Sequence, residues 1–464
     1  MIERGTGRPA STSDGGESPA ALEIPASSVL YRRDDASVSH NMLITLVGNI
    51  FPPIVGLISG PILAHALGVD GRGAVAAGTA PLVLIGTVAT FGIPEAVTFT
   101  VARSPGLVAL AAGRGIAILT VAGAFSTVAV ILGRDWLSGD NPAVAQLITM
   151  ASLAIIPSLL VGVFRGVASA LQRWRAVALE RIISSTLRLV VFVFLWRTDQ
   201  LTLLSATVVI AVAPVVGIVA YLPLALRLPP TERDPLGNAR AKRLFGYGLR
   251  IWIGSISGIL LSRVDTTLMT PLSNTFELGL YVVAVSVSEL PLIINSAVRD
   301  VTFATDSREA VDARLAASAR ISTVLSAVAG LGLCVSMVWW LPILFGTDFS
   351  QSVPVAAVLL VAVVAGTPGS IGGAGLSGRG RPGLRSASLF IACCINIVLL
   401  VVLVPTLGAM GAAIATLVGN IVSSNLNLLF LWQRFGLSVG CFYGLRGSDV
   451  RLLKSFASRL VRRR

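Results

Sequence analysis

The chain has 464 residues, of which 54% are hydrophobic and 13% charged, and its mean hydropathy is +0.83. A water-soluble domain carries about 25% charged residues, so this composition excludes one and indicates an all-α polytopic membrane protein. The net charge of +13 indicates no nucleic acid, because it is carried almost wholly by arginines in the loops expected to stay on the cytoplasmic side.

In chain order, residues 1–40 are rich in Ser, Gly, Ala and Pro, and read as a disordered cytoplasmic tail. About 12 transmembrane helices follow, near 42–66, 76–100, 107–132, 145–167, 182–198, 203–226, 248–270, 278–299, 319–345, 353–374, 386–405 and 409–432. They divide into an N-terminal six-helix bundle at 41–228, a proline-bearing cytoplasmic linker at 229–247 and a C-terminal bundle at 248–433. The basic, mildly amphipathic tail at 434–464 is expected to lie on the anionic inner leaflet. With the N-terminus inside, 31 of the 36 basic residues fall on cytoplasmic segments, and only Arg72, Arg134 and Arg197 fall in outer loops. That bias places both termini in the cytoplasm.

Two weak internal matches lie at nearly one offset. Gly73 in LAHALGVDGRGAVAAGTA aligns with Gly279 in LMTPLSNTFELGLYVVAVS, and Leu171 aligns with Leu376. A duplicated six-helix unit follows, as in transporters built from repeats.

The chemistry-bearing residues are few. Cys334, Cys393, Cys394, Cys441, His40 and His65 lack metal spacing, so no metal site and no cofactor is expected. No GxxxxGK[ST] phosphate loop occurs and the outer acids sit in separate short loops, so the chain does not read as an enzyme. What remains are charges inside apolar spans, which usually face a cavity or a partner. Two readings stand for Arg188, a cavity phosphate ligand or a side chain snorkelling inward. Two also stand for Arg263, cavity-facing or snorkelling outward. Glu289, just before Pro291, is read as a cavity group or as half of a salt bridge. Asp265 lies two residues, about 200° of helix, from Arg263, so the two occupy different faces. Glu95 follows Pro94 near an inner helix end, where interfacial exposure is the plainer reading.

The segments GNI at 48–50, LAHALGVDGRG at 63–73, FGIPEAVTFTVAR at 91–103, RVDTTLM at 263–269, ELGLYVVAVSVSELPLII at 277–294 and LVPTLGAMGAAIAT at 403–416 carry a resemblance. They resemble bacterial polysaccharide or oligosaccharide flippases (Wzx-like) of the multidrug/oligosaccharidyl-lipid/polysaccharide exporter superfamily. The resemblance implies two pseudo-symmetric, MATE-like six-helix bundles around a central cavity with alternating access. It implies a polyprenyl-diphosphate-linked glycan as substrate, with the lipid bilayer and glycan polymerases or glycosyltransferases as partners. Arg188 and Arg263 would hold the diphosphate, and Asp265, Glu289 and Glu95 would be the ion-coupling acids. Two other functions stay open: a proton- or sodium-coupled drug exporter with an acid-rich cavity, and a non-transporting scaffold for glycan synthesis.

Overall fold

The computed structural model describes residues 35–225, 234, 237, 239–307, 309–444, 446, 447 and 449, and no strand occurs among them. The long helices are α1 (Asp35–Val88), α2 (Ile93–Arg103), α3 (Val108–Leu132), α4 (Pro142–Ser152), α5 (Ile155–Ala170), α6 (Trp174–Arg197), α7 (Leu203–Val216), α8 (Ala241–Leu272), α9 (Thr275–Asp306), α10 (Asp312–Phe345), α11 (Ser352–Gly378) and α12 (Pro382–Phe435). Among the described residues, nine stretches are long and apolar enough to cross a membrane.

Two of those stretches are hairpins. In α12 the chain turns at Gly408, whose φ of 53° is left-handed, and a Cβ on Gly419 would lie 3.3 Å from that of Asn396. A straight helix would separate these residues by about 35 Å. α1 turns likewise at Gly68, with φ 67°, and Gly56 and Val83 then line one cavity. The Glu277 carboxylate accepts from the Ala409 amide at 2.7 Å, capping the helix that restarts after Gly408.

The predicted span at 76–100 is divided. Helix runs to Val88, left-handed Phe91 and Gly92 break it, and α2 resumes at Ile93 with Pro94 in its first turn. The span at 145–167 divides between α4 and α5. Helix begins at Asp35, inside the segment expected to be a tail, and residues 1–34 lie outside the described set. Residues 229–233, 235, 236 and 238 of the predicted linker lie outside it too, and α8 takes over from Ala241.

The described part of the segment after α12 packs on the bundle, while most of the stretch expected on the membrane surface lies outside the described residues. A short turn at Val439–Phe442 buries Phe442 among Leu315, Ile371, Leu428 and Leu431. Arg320 of α10 donates to Asp449 from Nε at 2.6 Å and from Nη2 at 2.7 Å, and from Nη1 to the Cys441 carbonyl at 2.5 Å. These apolar and ionic contacts strap the segment to the bundle, while 450–464 lies outside the described residues.

Interhelical polar contacts sit deep in the C-terminal half. Asn427 donates to the Gly369 carbonyl at 3.1 Å and accepts from Ser388 at 2.6 Å, and Asn420 donates to the Ala362 carbonyl at 3.3 Å. The two halves touch at two places where side chains are missing. A methyl group on Gly73 would collide with the Thr275 carbonyl, and one on Gly279 with that of Val69. At the other end, a methyl group on Gly248 would lie 2.6 Å from the Phe91 carbonyl oxygen. Only glycine permits backbones this close. The repeat-related pair Gly73 and Gly279 thus meets face to face.

Candidate functional site: a basic cavity between the halves

Between those two crossings lies a cavity of about 430 Å³. α1 contributes Pro53, Gly56, Arg72 and Thr79, α6 contributes Arg188, α8 Arg263 and Thr266, and α9 Ser286 and Glu289. Its charged walls, among the described residues, are three arginines and one carboxylate. Arg263 and Glu289 face each other at 4.0 Å and both remain about half exposed. Arg72 and Arg188 have no ion-pair partner among the described residues, and the Nε of each is buried without a hydrogen bond. Leaving a buried donor unpaired costs roughly 1–3 kcal/mol, so two of them on one cavity make a site that gains from an anion.

A second space, of about 810 Å³, shares Val83, Arg188 and Ile210 with the first and extends to Glu95, Thr98 and Arg165. Arg165 is tied to Glu180 through two hydrogen bonds of 3.2 and 3.1 Å, and Tyr221 donates to the same carboxylate at 3.4 Å. Its charge is therefore matched, unlike that of Arg188.

The site residues expected from sequence separate into two groups. Arg188, Arg263 and Glu289 line the central cavity, and Glu95 lines the adjoining one. Asp265 does not line either. It is 6% exposed, accepts from the Thr266 amide at 2.7 Å and from the Tyr281 hydroxyl, and Tyr281 in turn lies 3.3 Å from the Thr416 hydroxyl. Arg72 was expected in an outer loop and instead lines the cavity. The helix restarts at Val69, directly after the Gly68 turn, so Arg72 falls in its first turn. The signal available for it was its place inside the repeat, between Gly71 and Gly73.

A helical bundle in two halves around a charged cavity defines a multi-pass cell-membrane protein, and the fold is that of the multidrug/oligosaccharidyl-lipid/polysaccharide superfamily. The structure of the lipid II flippase MurJ in an inward closed conformation superposes with a TM-score of 0.66 at 12% identity, over 84% of this chain and 87% of that one. An inward-facing multidrug resistance MATE family transporter gives 0.64 at 16% identity, over 85% and 98%. The chain belongs to the polysaccharide biosynthesis protein family, whose model matches residues 38–305. A sequence relative is the probable low-salt glycan biosynthesis flippase Agl15 of Haloferax volcanii, 24% identical over 222 residues, covering 46% of this chain and 47% of the relative. The match spans about half the length of the curated relatives found.

Proposed function

We propose that this protein is a flippase that moves a polyprenyl-diphosphate-linked oligosaccharide from the inner to the outer leaflet by alternating access, for cell-surface polysaccharide synthesis. The observation that carries the reading is the convergence of Arg72, Arg188 and Arg263 on one cavity, two of them with buried, unpartnered Nε groups. A diphosphate supplies the missing acceptors in the planar geometry guanidinium favours. The drug-exporter alternative calls for an acid-rich cavity, and among the described residues lining this one Glu289 is the single carboxylate against three arginines.

In this reading twelve helices cross the bilayer. The two hairpins count twice and α6 adds one to the nine apolar stretches. Both termini lie inside, and the protein itself catalyses no covalent chemistry. Glu289 and Glu95 are the coupling acids with access to the cavities, and Asp265 would act from behind the wall through Tyr281. Glycan polymerases or glycosyltransferases would supply or consume the cargo.

The test uses liposomes holding the purified protein and a fluorescent polyprenyl-diphosphate oligosaccharide. The fraction of label reached by a membrane-impermeant quencher is followed with and without an ion gradient. Protein-dependent access supports the flippase. Gradient-driven movement of an organic cation with no glycan access transfers the assignment to drug export. Inactivity toward both, in a protein still required for glycan assembly in cells, favours the scaffold.

A further inference from the structure

A third cavity, of about 700 Å³, opens where α2 of the N-terminal half meets the start of α8. Its walls include Phe99, Arg103, Lys242, Arg243, Tyr247 and Arg250, and no carboxylate lines it among the described residues. The Phe99 and Tyr247 rings stack with centroids 4.3 Å apart and planes 22° apart, and the Arg103 guanidinium lies 4.3 Å above the Phe99 ring. Positive charge at a cytoplasmic helix end is ordinary. Four cationic side chains from both halves, around a concave space with a fixed aromatic wall, go further than that.

Tyr247 and Arg250 also line an adjoining groove of about 1120 Å³ between α8 and the first arm of α12. Its walls are largely apolar, with Ile251, Ile253, Gly258, Ile259 and Leu389, and Arg385 stands beside them. Ser255 and Ile259 line both this groove and the space that reaches Arg188. A multiply charged basic pocket therefore opens onto an apolar groove, which leads toward the cavity arginines.

We infer that this is a docking site for a lipid diphosphate, with the diphosphate between Arg103, Lys242 and Arg250 and the hydrocarbon chain in the α8–α12 groove. The charge favours a diphosphate over a singly charged phosphodiester, because Arg103, Lys242 and Arg250, in a space that no carboxylate lines among the described residues, match a head carrying more than one negative charge. The inference rests on the flippase reading and adds to it a separate waiting position outside the central cavity. By joining α2 to α8, an occupied site also ties the two halves together beside their Gly92–Gly248 crossing.

The test is photo-crosslinking of full-length protein in phosphatidylcholine nanodiscs with a diazirine-bearing undecaprenyl diphosphate, followed by peptide mapping. Crosslinks are expected on 99–103 and 242–259. They should fall roughly tenfold in the Arg103→Gln/Lys242→Gln double variant, the loss of about one charge-assisted contact, and persist in Arg188→Gln. Both substituted residues are exposed, and Lys242→Gln alone should give a smaller decrease in the same direction. Unchanged crosslinking in the double variant overturns the site. Displacement by an equal amount of phosphatidylglycerol overturns the diphosphate assignment in favour of an ordinary anionic lipid. Flipping without these crosslinks removes the docking site and leaves the flippase reading intact. Crosslinks without flipping do the reverse.

Discussion

Arg72 and Arg188 bring two uncompensated cations to the same cavity from α1 and α6, which is where single substitutions should act most strongly. Replacing either with Gln removes a charge-assisted contact and should lower the flipping rate in liposomes roughly tenfold or more, with unchanged protein in the membrane. Arg188→Lys should recover only part of that rate, because an ammonium keeps the charge but not the fork. Normal flipping by both Gln variants would remove the cavity-arginine mechanism. Asp265→Asn should leave flipping down a substrate gradient and lose its dependence on an ion gradient. An unaltered ion dependence would return Asp265 to a purely structural role with Tyr281. Helical spacing alone separated Arg263 from Asp265, since two residues of helix place them on different faces. It did not place Arg72, because GVDGRG reads as a polar loop until the turn is fixed at Gly68.

Among the elements, the crossing of α1 and α9 is the most sensitive to side-chain size. Gly279→Val puts a branched side chain against the Val69 carbonyl, so the halves should no longer approach there. The measurement is labelling of a single cysteine at Ser286, which lines the cavity, after the four native cysteines are replaced. Impermeant thiol reagent added outside should label it several-fold faster in the Gly279→Val background, and equal rates would exclude this crossing as a gate. The weak sequence repeat already pointed to Gly73 and Gly279 as equivalent, though equivalence does not imply contact. Contact required α1 and α9 to cross in space, which no local pattern encodes. The helices themselves were legible because apolar runs of bilayer length have few other solutions. The breaks at Phe91–Gly92 and between α4 and α5 were not, since both lie within continuous apolar runs.

At the scale of the whole molecule, the segment after α12 acts as a strap on α10. Arg320→Ala removes the guanidinium paired with the buried Asp449 carboxylate, which should cost about 3 kcal/mol and lower the melting temperature in detergent by several degrees. Truncation after Phe435 should do the same by uncovering Leu315 and Leu431 around Phe442. Melting curves that match the wild type for both would show that the strap contributes nothing to stability. Its sequence is basic and mildly amphipathic, the signature of a membrane-surface helix. Composition could not reveal that Phe442 and Asp449 each have a fitted receptor in the bundle.

The charges of the central cavity are divided unequally. The N-terminal half supplies Arg72 and Arg188, which have no ion-pair partner among the described residues, whereas the C-terminal half supplies Arg263 already facing Glu289. In the proposed function, a diphosphate seated there would be a passenger of the N-terminal half. In the proposed cycle the C-terminal half would then behave as the door, swinging past a cargo it barely grips, and release would depend on how firmly one side lets go.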